Sequence, residues 1–284
     1  MDSWVRFLTF LFLITAMLGI GLEVTRTEIR STLGQRSLLV RSLLANFVFV
    51  PALGLLILRI VPMPMDTAVG FLLLAVAPGG MSALQFTSRA SGALFYGGAL
   101  AFILSVLSVI ISPAIAAEIL PVEMSLSVPY GRAIGFLLLF LLLPLLLGLA
   151  VHQRFPKLAE NLAKPAAIVA ALSFVAFMVY LLDIRRQAMA EHKSTVVAAM
   201  FLFIVGSMVI GWVLGGPERE TRRVLATASS MRNTALCYLI ATRSFPGMNV
   251  DVAVIAFSAL MVPPNTLFTV YSVMQSRRKG RVRS

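Results

Sequence analysis

Long apolar runs are the feature that most constrains how this sequence can fold. Nine runs of about 20 residues each, enough for a helix to cross a bilayer, are separated by short polar connections. With 59% hydrophobic and 13% charged residues, the chain is neither a soluble globular domain nor a disordered one. The predicted fold is an all-α polytopic membrane protein with nine transmembrane helices, at approximately 4–22, 38–60, 66–89, 94–118, 132–152, 165–183, 195–215, 222–243 and 250–275.

The connections between these runs are too short to hold a soluble domain, which predicts a single transmembrane domain over 1–284. The first run continues into Gly19, Gly21 and Glu23 without a small-residue cleavage site. This pattern favours a membrane helix over a signal peptide. A basic tail at 276–284 follows the last run and is too short to fold by itself.

Positive charge is distributed unevenly between the two sides of the predicted bundle. The chain has 24 Lys and Arg against 12 Asp and Glu. If the C-terminus is cytoplasmic, that side holds 15 positive residues and the opposite side holds 7. Cytoplasmic loops are enriched in Lys and Arg, so we expect the N-terminus outside and the C-terminus cytoplasmic. Topology and contact with anionic lipid then account for the basic excess, and no nucleic acid partner is expected.

Residues that carry catalysis or bind metals are scarce. The single cysteine, Cys237, allows no internal disulfide, and the two histidines, His152 and His192, lie in polar connections. No carboxylate lies in the middle of a predicted span. We therefore expect no catalytic residue, no cofactor and no metal site, and the sequence leaves the oligomeric state open.

Two of the nine runs contain helix-breaking segments. Pro78-Gly79-Gly80 interrupts 66–89, because proline removes a backbone donor and paired glycines unwind easily. A polar stretch, Thr227 to Thr234, interrupts 222–243. Unwound backbone at membrane depth must be buried or must line a wet cavity, and such pairs mark the binding sites of transporters. We expect the two helices to cross near the midplane, although a simple kink at the first is the alternative. The predicted breaks are Pro78, Gly79, Gly80, Ser229 and Ser230.

These two segments resemble the bile acid:sodium symporter family. The motifs that carry the resemblance are Pro78-Gly79-Gly80 followed by Ala90-Ser91-Gly92, and Met231-Arg232-Asn233-Thr234-Ala235-Leu236. The early Gly19-Ile20-Gly21-Leu22-Glu23 also fits. The resemblance implies a panel domain, a core domain, two crossing broken helices and two inverted repeats, at about 1–125 and 126–275.

The resemblance also implies sodium coupling through oxygen ligands near the crossing, but those ligands are substituted in this sequence. The positions of the family's ligands fall on Ala83, Leu84, Gly97, Ala101 and Ala228, and its glutamine falls on Arg232. Hard cations need several oxygen ligands. The sequence therefore predicts a transporter of this fold without sodium coupling.

Arg232 is the most informative single residue, since an arginine at the centre of a membrane helix costs about 2.5–3.5 kcal/mol on insertion scales. Three interpretations stay open. The guanidinium occupies the place of the cation and bonds to unwound carbonyls, or it binds an anionic substrate directly, or it has a structural role without a part in transport.

Polar side chains near the two breaks are the candidate substrate contacts. Gln85 and Thr87 follow the first break, with plain helix packing as the alternative, and Asn265 follows Pro263-Pro264, where a kink is the alternative. The predicted substrate-binding residues are Gln85, Thr87, Arg232, Asn233, Thr234 and Asn265.

The predicted function is secondary transport of a small organic anion by alternating access, without sodium coupling, in a cell membrane (the inner membrane in a bacterium). The alternatives are a sodium-coupled symporter, a channel-like facilitator or exchanger on the same fold, and a non-transporting receptor or scaffold. The sequence names neither the substrate nor the direction of transport.

Overall fold

The computed structural model describes residues 3–78, 94–119, 130–184, 194–245 and 247–282. Within these ranges the chain is almost entirely helical, which confirms the predicted all-α class. The helices are α1 (Ser3–Glu23), α2 (Arg26–Gly34), α3 (Arg36–Ile60), α4 (Met65–Val76), α5 (Leu94–Ile119), α6 (130–154), α7 (Pro156–Ile184), α8 (Ser194–Leu214), α9 (Arg219–Ser230), α10 (Thr234–Ser244) and α11 (Val250–Val282).

The apolar composition and length of the helices make this an integral, multi-pass membrane protein. Six helices of the described part are long and apolar enough to cross a bilayer. A seventh is obtained if α1 and α2, which meet at an angle of 81°, form one bent span. Helix α4, with 12 residues, and the pair α9 and α10, with 12 and 11, are individually too short for a full crossing.

The helices pack in two groups. In one group, α1 lies against both α6 and α7. In the other, α4 packs against α3 and α11, while α9 packs against α8 and α5. Helix α10 contacts α11 and α4 and also touches α1, so it lies where the two groups meet.

A glycine pair brings α1 and α6 into backbone contact. A Cβ atom on Gly148 would meet the Leu18 carbonyl and would lie 2.8 Å from the Leu22 amide nitrogen. A Cβ on Gly21 would meet the Leu145 carbonyl in the same way. Small residues at such crossings let membrane helices approach closely and gain van der Waals contact. This contact holds the first helix group together.

We expect Gly148→Ala to lower the thermal denaturation midpoint of the purified protein by several degrees, because overpacking of a tight contact costs about 1–3 kcal/mol. Gly135→Ala is the matched control, since Gly135 lies on the same helix with open space around its Cα. Equal midpoints for the two variants, measured in the same detergent, would contradict the proposed contact.

Candidate functional site

The polar stretch of the second broken helix separates α9 from α10. Helix α9 ends at Ser230, and Met231 has an extended backbone with φ −87° and ψ 130°. Helix α10 begins at Thr234, and the side chain of Asn233 caps it by accepting a hydrogen bond from the Leu236 amide at 3.2 Å. Residues 231–233 therefore form a short non-helical segment between two half-helices.

Helix α4, which is the described part of the first predicted broken helix, meets the second at this non-helical segment. Helix α4 ends at Val76, and Pro78 forms an isolated antiparallel bridge with Arg232. The Asn233 amide donates to the Ala77 carbonyl at 3.1 Å. The chain just after α4 thus contacts the non-helical segment through its backbone. Gly79 and Gly80 lie outside the described residues.

Arg232 lies at this meeting point and is 1% exposed. Its Nε donates to the Leu74 carbonyl at 2.8 Å, and its Nη2 donates to the Ala75 carbonyl. Its Nη1 lies 3.4 Å from both the Ser229 carbonyl and the Asn46 Oδ1. Within the described residues, every hydrogen bond of the guanidinium goes to a neutral oxygen. The guanidinium therefore keeps a net positive charge in the protein interior.

Pro78 explains why a carbonyl of α4 is available to Arg232. In a continuous helix, residue 78 would donate to the Leu74 carbonyl, four residues earlier, but proline has no N–H to give. The Leu74 oxygen accepts instead from the Ala77 amide at 3.3 Å and from Arg232, and the Cys237 thiol lies 3.4 Å from the Leu73 oxygen. Side chains of the second broken helix therefore satisfy the carbonyl end of the first.

Helix dipoles favour a cation at this position. The carbonyls of Leu74 and Ala75 belong to the last turn of α4, and the Ser229 carbonyl belongs to the last turn of α9. Each helix C-terminus carries roughly half a negative charge. Two such ends converge on the guanidinium and offset part of the cost of burying it. The guanidinium thus bonds to the carbonyl ends of two helices.

Asn46 is a member of this site that the sequence reasoning did not identify. It is fully buried in a π-helical turn of α3, Ala45–Phe49, which ends shortly before Pro51. Proline cannot donate to the carbonyl four residues earlier, and such wide turns often occur at functional sites. The available signal was a lone asparagine in an apolar run, five residues before a proline.

Asn265 and Ser230 connect the second broken helix to α11. The Ser230 hydroxyl donates to the Asn265 Oδ1 at 2.7 Å, and the Asn265 Nδ2 donates to the Met261 carbonyl at 2.9 Å. Asn265 is fully buried. Asn233 and Thr234 are also buried at the crossing. Gln85 and Thr87 lie outside the described residues, so the structure brings together four of the six predicted substrate contacts.

The positions predicted to have lost sodium ligands are apolar where the structure describes them. Ala228 is buried in a cluster with Tyr96 and Leu100, and Gly97 and Ala101 are buried in α5. Ala83 and Leu84 lie outside the described residues. Among the described residues, no group of three or more His, Cys, Asp or Glu side chains is placed to hold a metal ion.

Comparison with known proteins decides the family. The sequence profile of the Sodium Bile acid symporter family matches residues 10–191, more than half of the chain. The chain belongs to this family. The resemblance inferred from the two helix-breaking motifs is therefore confirmed.

Three distant relatives carry transporter names. The probable sodium/metabolite cotransporter BASS1, chloroplastic, of Arabidopsis thaliana is 23% identical over 84% of this chain and 59% of its own length. The probable sodium/metabolite cotransporter BASS2, chloroplastic, of Oryza sativa subsp. japonica is 21% identical over 81% of this chain and 55% of its own. The uncharacterized sodium-dependent transporter YocS of Bacillus subtilis is 21% identical over 95% and 80%. The chain thus spans little more than half the length of the two plant relatives.

Proposed function

We propose that this protein is a secondary transporter that moves a small organic anion by alternating access, without sodium coupling. The observation that carries the proposal is the buried Arg232 guanidinium, which is bonded to the carbonyl ends of both broken helices. Family membership and the names of the relatives support transport as the class of activity.

The packing of the helices supports a transport mechanism. Each broken helix packs against one helix from its own half of the chain and one from the other half. Helix α4 contacts α3 and α11, while α9 contacts α8 and α5. Inverted repeats produce such an arrangement, and transporters of this kind move one helix group against the other around a central site. We propose that the α1, α6 and α7 group is the panel against which the other group moves, and that the complete fold has nine spans.

The charge of the site favours an anionic substrate. Arg232 contributes a permanent positive charge, because a guanidinium stays protonated in proteins. Among the described residues, its hydrogen-bond partners are neutral oxygens, so its charge is not compensated. A negatively charged ligand near the crossing is therefore attracted to it. The same guanidinium binds carbonyls that would otherwise be available to a metal cation, and this argues against a sodium ion at this position. The names of the relatives favour sodium coupling as the second candidate.

The distribution of basic residues supports the predicted orientation. His152 Nδ1 donates to the Leu22 carbonyl at 2.5 Å, and Arg223 donates to the Gln275 Oε1 at 2.8 Å. The first contact joins the C-terminal ends of α1 and α6. The second joins the first half of α9 to the C-terminal part of α11. On the opposite side, the Asn249 amide donates to Asp66. We propose that the side with the C-terminal ends of α1, α6 and α11, which carries the exposed Arg26 and Arg30, is cytoplasmic.

The proposed substrate path runs beside the crossing, bordered by Gln85, Thr87, Asn233 and Asn265. We expect Asn265→Trp to reduce uptake at least about tenfold, since an added ring blocks the closure of helices over a substrate. Uptake is measured in vesicles with a panel of radiolabelled mono- and dicarboxylates. Asn161→Trp, on an exposed position of α7, is the matched control.

Two results would contradict this part of the proposal. Wild-type vesicles that accumulate no anion of the panel above protein-free vesicles would favour a receptor or scaffold. Uptake that is unchanged in Asn265→Trp, and in equally bulky variants of Gln85, Thr87 and Asn233, would remove the proposed path while leaving transport in place.

A further inference from the structure

Asn46 reaches the crossing from α3, a helix outside both broken segments. Its Oδ1 lies 3.4 Å from Nη1 of Arg232, and its Nδ2 donates to the Ser42 carbonyl at 3.0 Å. The same Nδ2 lies 3.4 Å from the Ser229 hydroxyl. We infer that Asn46 is a positioning residue, which fixes the plane of the Arg232 guanidinium and ties the crossing to α3.

The hydrogen-bonding chemistry allows one orientation of the Asn46 amide. A guanidinium has donors alone, so it requires the amide oxygen, whereas the Ser42 carbonyl accepts alone and requires the amide nitrogen. The reverse orientation would set donor against donor and acceptor against acceptor. Asparagine therefore satisfies both neighbours at once, and it does so without neutralising the arginine.

The π-helical turn and a second hydrogen bond hold Asn46 in place. The turn Ala45–Phe49 widens the helix at this residue. One turn earlier, the Ser42 hydroxyl lies 2.8 Å from the Tyr96 hydroxyl, which connects α3 to α5. The Ser42 carbonyl in turn accepts from Asn46. These contacts hold the Asn46 side chain beside the guanidinium.

The inference separates Asn46 from a residue that merely fills space. We expect Asn46→Asp to keep the denaturation midpoint within about 3 °C of wild type. The aspartate loses the donor to the Ser42 carbonyl, but its charge-assisted bond to the guanidinium offsets that loss. Asn46→Leu keeps the branching at Cγ but is bulkier and has no acceptor for Nη1, and we expect it to lower the midpoint by more than about 5 °C. A residue needed for packing alone would give the opposite order, since a buried carboxylate without a partner is the costlier change.

The same two substitutions in an Arg232→Gln background provide the decisive comparison. Without the guanidinium, Asn46→Asp should become the more destabilising of the two changes, while Asn46→Leu should cost less than it does in the wild-type background. Ser42→Ala is the matched control, since it removes the Tyr96 contact on the same helix without touching Arg232. Its effect should be the same in both backgrounds.

The measurement is thermal denaturation of detergent-purified protein, so no substrate is required. The inference rests on the proposed role of Arg232 as the cation of the crossing. If Arg232→Gln itself costs no stability, that proposed role fails. If Arg232→Gln is destabilising but the Asn46 order does not invert, the role of Asn46 alone is overturned. If Arg232→Gln yields no folded protein, the midpoints of Asn46→Asp and Asn46→Leu in the wild-type background test the role of Asn46. A lower midpoint for Asn46→Asp than for Asn46→Leu would then overturn it.

Discussion

Arg232→Gln should destabilise the protein and weaken the binding of anions. The substitution removes the guanidinium donors of the Ala75 and Ser229 carbonyls and leaves the Leu74 carbonyl with the Ala77 amide alone. A buried acceptor without a partner costs about 1–3 kcal/mol. A net loss of about 3 kcal/mol corresponds to a fall in the denaturation midpoint of roughly 6–12 °C for a chain of this size. The glutamine amide also carries no charge, so it provides no attraction for an anionic substrate.

A rescue experiment identifies the missing group. In Arg232→Ala, the deleted side chain leaves the carbonyls of the crossing facing a space of guanidinium size. We expect millimolar guanidinium, compared with choline at equal ionic strength, to raise the midpoint of this variant and to leave wild type unchanged. Arg223→Ala is the matched control, because Arg223 is the other buried arginine of this broken helix and bonds to Gln275 of α11, away from Arg232.

The proposed role of Arg232 would be contradicted by two findings. One is an Arg232→Gln protein with wild-type stability and undiminished anion binding. The other is equal rescue of Arg232→Ala and Arg223→Ala, which would indicate a general effect of guanidinium on the protein.

The sequence predicted the general location of the crossing because its signals are local. Proline cannot bond to the carbonyl four residues earlier, so Pro78 ends a helix by covalent structure alone. The structure places the end of α4 at Val76, slightly before the predicted break, because the residue before a proline is driven out of the helical region as well. The run around Arg232 and Asn233 is equally local, since short polar side chains compete for backbone groups.

The partners of Arg232 could not be predicted from the sequence, because they depend on tertiary packing. Asn46 is 186 positions away in the chain, and nothing in the apolar run around it indicates which helix it faces. The Leu74 and Ala75 carbonyls are backbone groups, which every residue has, so the residue types at these positions do not indicate that they bind an arginine. Likewise, Asn265 was predicted to line a substrate path, and its bond to Ser230 emerges only when α11 is placed beside α9.

Sodium independence is the second large effect that we expect. The two plant relatives are named probable sodium/metabolite cotransporters, and YocS is named a sodium-dependent transporter. In this chain, the described ligand positions Gly97, Ala101 and Ala228 offer no side-chain oxygen. The carbonyls at the crossing are already bonded to a guanidinium that is part of the chain. A covalently attached cation cannot enter and leave with an ion gradient, so we expect that a sodium gradient does not drive the conformational change through this position.

Single substitution of Arg232 should leave this independence intact. Arg232→Gln frees the carbonyls but restores none of the substituted side-chain ligands, and hard cations need several oxygens. We therefore expect its residual anion uptake to be the same in sodium and in choline. A sodium-specific gain in this variant alone would show that Arg232 is the sole element that excludes sodium.

The most direct test of the central claim is uptake by the unmodified protein in vesicles, titrated with sodium against potassium and choline at constant ionic strength. Radiolabelled carboxylates are the probes, and the imposed gradient is varied independently of the total salt. The proposed account predicts the same initial rate in all three cations at every concentration. A saturable stimulation by sodium, absent with potassium and choline, would contradict it.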